Sequence, residues 1–245
     1  MPGLILAAPS SGAGKTTVTL ALLRLLSREG LAVRGAKSGP DYIDPRFHEA
    51  ACGAPCPNLD AWAMSPERLA DLAAGDGLLI IEGAMGLFDG AAPDGRGAVA
   101  DLARKMSLPV VLVVDAGRMA GSVAPLVAGF AGYDASVRVA GVILNNVGSE
   151  RHEAMLRRAL APLGLPVLAA LRRDTGLVQR SRHLGLVQAS ERPDLETFLD
   201  HAADALARSL EIETLLAIAA PIPAGQPGRR IPPPAQTIAI AQDQA

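Results

Sequence analysis

Surplus positive charge is missing from this sequence: 23 Lys and Arg against 25 Asp and Glu leave a formal net charge of −2. That excludes the basic surface by which nucleic acid or an anionic membrane is recognised, so neither is an expected partner. No apolar run approaches the roughly 20 residues of a spanning helix. The chain opens directly on a strand of buried type, with no room for a signal peptide, and a cytoplasmic location is expected. Cysteine is scarce. Cys52 and Cys56 have no two further Cys or His at ligand spacing, which argues against a metal site or a disulfide and for ordinary loop or buried thiols. What is present suffices for one sizeable domain: hydrophobic content is 49%, enough for a core, and 25 Gly with 19 Pro imply many tight loops. No internal repeat is evident.

The stretch Leu4–Thr17, LILAAPSSGAGKTT, reads as an apolar strand, a small-residue turn and a helix opening at Lys15. Successive backbone N–H groups of a turn through Ser11, Gly12, Ala13 and Gly14 can wrap a phosphate, and the helix N-terminus adds partial positive charge. Lys15 is placed to reach the β- and γ-phosphates, Thr16 to ligate Mg²⁺, and Thr17 to complete the loop. The general pattern wants glycine where this chain has Pro9.

A helix to about Glu29 follows, with Val18, Leu22, Leu25 and Leu26 on one face and Gly30 closing it. After a strand at about 32–37, the segment KSGPDYIDPRFH is too turn-rich to predict a regular element. Asp41, Tyr42, Asp44 and His48 crowd a position where open α/β sheets place ligands. The alternative is that the two acids serve as Asx turns. Ser65-Pro66 reads as a helix cap and first turn. The run LLII then delivers Glu82 at a strand end, where a phosphate-binding-loop enzyme carries a Mg²⁺-associated carboxylate, and the glycine-rich stretch beyond it contains Asp89.

Strands at about 109–115 and 137–144 end in Asp115 and in Asn145-Asn146, which can read a purine or cap a turn. Ser149 caps a helix closed by Gly164, and 165–171 is another strand. Arg172, Arg173, Arg180, Arg182 and His183 form a cationic loop suited to carboxylate or phosphate partners. Helix is expected over 194–210, extending toward 218.

Alternating strands and helices predict an α/β fold, a doubly wound, mainly parallel sheet with its site along the strands' C-terminal edge. Three segments are expected: 1–219 as a nucleotide-binding domain, 220–235 as a proline-rich linker, and 236–245 as the first strand of a further domain.

Six segments in order, APSSGAGKTT, KSGPDYIDPRFH, NLDAW, IEGAMGLFDG, GVILNNVGSERH and RHLGLVQASE, closely resemble the cobyrinic and hydrogenobyrinic acid a,c-diamide synthases over residues 4 to about 192. The resemblance implies a dethiobiotin-synthetase-like P-loop domain followed by a class I glutaminase domain, and identifies 236–245 as that domain's truncated start. Loops of this family commonly lack the first glycine. Also implied is ATP- and Mg²⁺-dependent amidation of the a and c acetates of a corrinoid acid through acyl phosphates, in cobalamin biosynthesis. Glutamine supplies the ammonia; a homodimer is a candidate assembly.

On that resemblance Lys15, Asp44, Glu82 and Asp89 are the catalytic set, and Thr16 and Glu82 hold Mg²⁺ with Asp41 or Asp44 completing the shell. Ser11 to Thr17 with Asn145 and Asn146 bind the nucleotide. Asp41, Tyr42, His48, Arg182 and His183 face the substrate. The glutaminase cysteine has no counterpart in Cys52 or Cys56, so this polypeptide alone is expected to amidate with free ammonia only. Cobyric acid synthase, dethiobiotin synthetase and a partition-type switch ATPase are the alternatives. The PDYID and GLFDG segments and Ser10, where the switches carry a lysine, disfavour them.

Overall fold

The computed structural model describes residues 2–177, 181–182, 185–186, 188–224 and 232–240. Leu4 and Leu6 point to one side of the first strand, β1 (Pro2–Ala7), and Ile5 and Ala7 to the other; all four are fully buried. A strand apolar on both faces must lie inside a sheet covered on both sides. The sheet around it is parallel along its main path. It comprises β2 (Val33–Ser38), β3 (Asn58–Leu59), β4 (Leu78–Glu82), β5 (Val110–Asp115), β6 (Val139–Val147) and β7 (Val167–Arg172), in the order β3-β2-β4-β1-β5-β6-β7. The chain winds outward from β1 to one edge, returns at β4 and then builds the other half. This is the doubly wound sheet expected from the sequence, with its loops of interest gathered beyond the C-terminal ends.

On one face pack α1 (Lys15–Arg28), α2 (Asp44–Cys52), α7 (Leu195–Ala207) and α8 (Ile212–Ile218). On the other lie α3 (Pro66–Ala73), α4 (Val99–Met106), α5 (Val123–Gly132) and α6 (Glu150–Leu160). Ser65 and Ser149 cap α3 and α6 as expected, accepting N–H groups of Arg68 and His152. Among the described residues no helix is long and apolar enough to cross a membrane.

Two local expectations change. The segment after β2 contains a true helix, α2, because Pro45 supplies a helical φ at its first turn and Asp41 Oδ1 accepts the N–H groups of Ile43 and Asp44. The final helical stretch breaks at 208–211 into α7 and α8. Of the stretch 236–245, residues 236–240 are exposed and lie outside any strand, and 241–245 lie outside the described residues. Short strands also occur at β8 (Ser181–Arg182), paired with β9 (Gly185–Leu186), and at β10 (Ala220–Pro221). The last runs antiparallel to Pro2–Gly3, tying the beginning of the proline-rich segment to the sheet.

Candidate active site

The turn between β1 and α1 is held open by backbone geometry that demands glycine. Gly14 has φ +92°, and a Cβ there would lie 2.1 Å from Asn145 Nδ2. Asn145 makes that approach because its amide donates to the Ala13 carbonyl at 3.0 Å, bracing the loop from the end of β6. One side of Asn145 is therefore spent on the loop. Asn146, at φ +58°, stands between two clefts. The first, about 460 Å³, is lined by Ser11, Gly12, Gly14, Lys15, Thr16 and Thr17 together with Lys37, Glu82 and Asn145. The second, about 570 Å³, lies past Asn146 against Asp115, Gly117, Arg173 and Asp174.

Lys15 donates to the carbonyls of Met85 and, at 3.4 Å, Ser10, so the β4–α4 loop is drawn toward the phosphate turn. Burial lowers its pKa, an effect that Glu82 opposes. Thr16 Oγ1 donates to Glu82 Oε1 at 2.6 Å.

Beneath the turn sits a buried charge cluster centred on Glu82. Lys37 Nζ, at the end of β2, donates to Glu82 Oε1 at 2.8 Å and to Asp44 Oδ2 at 2.5 Å. His48 Nε2 lies 2.7 Å from Glu82 Oε2, and His48 Nδ1 lies 3.2 Å from Cys56 Sγ. Burial pushes the Cys56 thiol up, and the His48 ring is held between that thiol and the Glu82 carboxylate. Burial also works against charge on Glu82, but Lys37 and His48 outweigh it and hold this carboxyl below the usual range. Asp44 goes the other way: burial and the Glu82 charge push it up, and Lys37 only partly offsets them. One ammonium cannot neutralise two buried carboxylates, and Glu82 has the second partner. The opposition of the two acids to burial leaves Lys37 with a raised pKa.

Of the residues expected at the site, Lys15, Thr16 and Glu82 meet at one cleft, and Asp44 joins them through Lys37. His48 does not face a substrate: it is fully buried and braces Glu82 from behind. Asp41 spends Oδ1 on the α2 backbone, the Asx-turn alternative, while its Oδ2 lies 3.8 Å from Lys37. Tyr42 is 67% exposed beside it. Asp89 is exposed and accepts the Gly86 N–H. Arg172 pairs with Glu153, and Arg173 donates to the Gly117 carbonyl. The side chain of Arg182 and the whole of His183 lie outside the described residues. Lys37 was not singled out from the sequence, and Cys56 was read there only as an ordinary thiol. A lone lysine at a strand's end carries no periodic signal, although Lys37 is the first residue of the KSGPDYID segment.

These residues fit a nucleotide-bound Mg²⁺. Hard oxygen donors, the Thr16 hydroxyl and Glu82 carboxylate, stand at the loop, and Asp44 Oδ1 is buried with no partner. No cluster of three or more His, Cys, Asp or Glu among the described residues could hold a metal unaided, so phosphate and water oxygens would complete the shell.

The description CobQ/CobB/MinD/ParA nucleotide binding domain (CbiA) matches residues 4–186. The chain belongs to that family. Within it, the chain is 56% identical over its whole length to a hydrogenobyrinate a,c-diamide synthase of Rhizobium meliloti (strain 1021), and 53% identical to one of Brucella anthropi. It spans 58% of the length of each. A septum site-determining protein MinD from Pyrococcus horikoshii OT3, solved with Mg-ADP, is 18% identical, with 82% of this chain and 94% of that one covered at a TM-score of 0.44. The family match runs from within β1 to β9.

Proposed function

We propose that this chain is the ATP-using domain of a glutamine-dependent ligase that amidates the a and c acetates of hydrogenobyrinic acid. The observation that carries this reading is 56% identity, along the whole chain, to a relative named for that reaction. The geometry supports it by joining a phosphate-binding turn to a buried cationic and acidic cluster at one cleft.

A carboxylate cannot expel oxide, so its oxygen attacks the γ-phosphorus of ATP. The bond from γ-phosphorus to the bridging oxygen breaks, ADP leaves with that electron pair, and an acyl phosphate forms. Ammonia then adds to the acyl carbon, loses a proton, and expels inorganic phosphate to give the amide. The protein's contribution is position and charge. Lys15 leaves the Met85 carbonyl to meet the migrating phosphoryl group. Thr16 and Glu82, with Asp44 Oδ1, would hold Mg²⁺; when bound, it would neutralise phosphate oxygens. Cys56 and His48 keep Glu82 in the orientation and charge state this requires. Lys37 sits where it can offset negative charge between the acceptor carboxylate and the acids. Asn146 with the cleft beside Asp115, Arg173 and Asp174 takes the nucleoside. Glutamine as nitrogen source, and a dimeric assembly, belong to the same proposal on the family resemblance alone.

The test is an ammonium-driven reaction with ATP and Mg²⁺, offering hydrogenobyrinic and cobyrinic acids side by side, read by mass spectrometry as exchange of hydroxyl for amino at each carboxyl. Diamide from the metal-free acid, and less from the cobalt form, is the expected result. A folded, ATP-binding sample that amidates neither would overturn the proposal.

A further inference from the structure

A third cleft, about 330 Å³, opens on the far side of Met85 from the nucleotide cleft, with Ser38, Asp60, Trp62, Met85, Asp89 and Arg96 on its walls. Its construction is unusual for a surface hollow. Trp62, the chain's single tryptophan, is 63% exposed, yet the backbone on both sides of it is pinned. Asp60 Oδ1 accepts the N–H groups of Trp62 and Ala63 at 2.8 and 3.2 Å, and Lys105 donates to the Ala61 carbonyl. The 90–97 loop is fitted to that residue: Gly97 has φ +80°, and a Cβ there would lie 2.7 Å from Trp62 Cβ. In the same loop Ala91 and Arg96 form an antiparallel bridge, with Ala91 N–H donating to Arg96 O at 2.8 Å. That bridge presents the exposed Arg96 guanidinium, which has no carboxylate partner among the described residues. Met85 is 56% exposed with φ +51°, and its carbonyl is the one that holds Lys15. An exposed aromatic ring on a pinned backbone, a thioether lining the same cleft and a guanidinium with no carboxylate partner among the described residues therefore adjoin the turn that holds Lys15.

We infer that this cleft is the acceptor subsite, and that it selects a broad, flat ring bearing several carboxylates. The ring lies over Trp62 and Met85, and Arg96 pairs with one peripheral carboxylate while another faces Lys15. Asp60 Oδ1 and Asp89 Oδ2 in the wall accept backbone N–H groups of their own loops, which partly offset their charge. The inference rests on the ligase reading and adds to it the residues that determine substrate size and charge.

The experiment is calorimetric titration of the whole chain with hydrogenobyrinic acid and, separately, with a fluorescent ADP analogue. Wild type is compared with Trp62→Ala, Trp62→Phe, Arg96→Gln and Arg96→Lys. Trp62→Ala should weaken the corrinoid acid about tenfold or more, with Trp62→Phe recovering most of the loss. Arg96→Gln should weaken it about fivefold at low salt and make binding less salt-dependent, with Arg96→Lys intermediate. ADP affinity should stay unchanged throughout, which also reports that each variant is folded. If wild type binds the corrinoid acid and Trp62→Ala and Arg96→Gln bind it equally well, the subsite is refuted and the ligase reading stands. If wild type binds ADP but no corrinoid acid, both fall.

Discussion

Replacing Lys37 by methionine keeps the length of the stem and deletes the charge at the centre of the buried cluster. The Lys37, Asp44 and Glu82 side chains are 6%, 8% and 1% exposed. Removing one partner from a buried ion pair costs about 3–5 kcal/mol, and here two carboxylates lose the same cation, so Lys37→Met should lie near the upper end. The pH dependence follows from each group. Glu82, held below its ordinary 4.5, contributes stability that is present above that value and fades as pH falls through its lower folded value. Lys37, raised from 10.5, contributes below that pH and loses its contribution only as pH rises through the folded value. Asp44, raised from 3.8, costs stability above that pH, and the cost fades as pH falls through its folded value. Lys37→Met abolishes the second contribution, erodes the first and enlarges the Asp44 penalty. The deficit is thus greatest near neutrality and shrinks as the acids take up protons. Urea unfolding followed by circular dichroism should show a loss of about 4 kcal/mol at pH 7.5, smaller by at least about 1 kcal/mol at pH 5. A loss under about 1 kcal/mol at pH 7.5, or one identical at both values, would refute this reasoning.

Other outcomes follow from the same geometry. Gly14→Ala places a methyl on the Asn145 amide and should cost about tenfold or more in nucleotide affinity, measured by equilibrium binding. Gly77→Ala, at φ +86° and with a Cβ 2.2 Å from the Ala32 carbonyl, should lower stability by about 1–3 kcal/mol in urea while folded protein keeps its nucleotide affinity. Asp44→Asn should raise the Mg²⁺ concentration for half-maximal turnover about tenfold, whereas Asp41→Asn, whose carboxylate is engaged with the α2 backbone, should change it little. Equal effects of the two would disfavour Asp44 as the metal-facing acid.

The sheet was legible because β1, β4 and β5 are apolar runs too short for helices and ended by chemistry-bearing residues. The phosphate turn was legible for a different reason: its glycines and Lys15-Thr16 are a local pattern. Long-range pairing was not. His48 looks like a loop histidine until β4 brings Glu82 to within 2.7 Å, and only then does its burial make sense. Helix α2 was hidden because Asp41, Pro45 and the residues between them are as apt for a turn as for a helix start. Lys37 belongs to the same class of omission. Nothing in one lysine indicates two acids converging from α2 and β4. Trp62 and Arg96 stand 34 positions apart in sequence, and only the fitting of Gly97 beneath the tryptophan places their loops together.

The central claim is that ATP activates the acceptor carboxylate itself. Hydrogenobyrinic acid labelled with ¹⁸O in its acetate carboxyls, turned over with ATP, Mg²⁺ and ammonium, tests it most directly. For each amide formed, one labelled oxygen should appear in inorganic phosphate by mass spectrometry, and Lys15→Met should abolish amide and labelled phosphate together. Amide formation with unlabelled phosphate would contradict the claim.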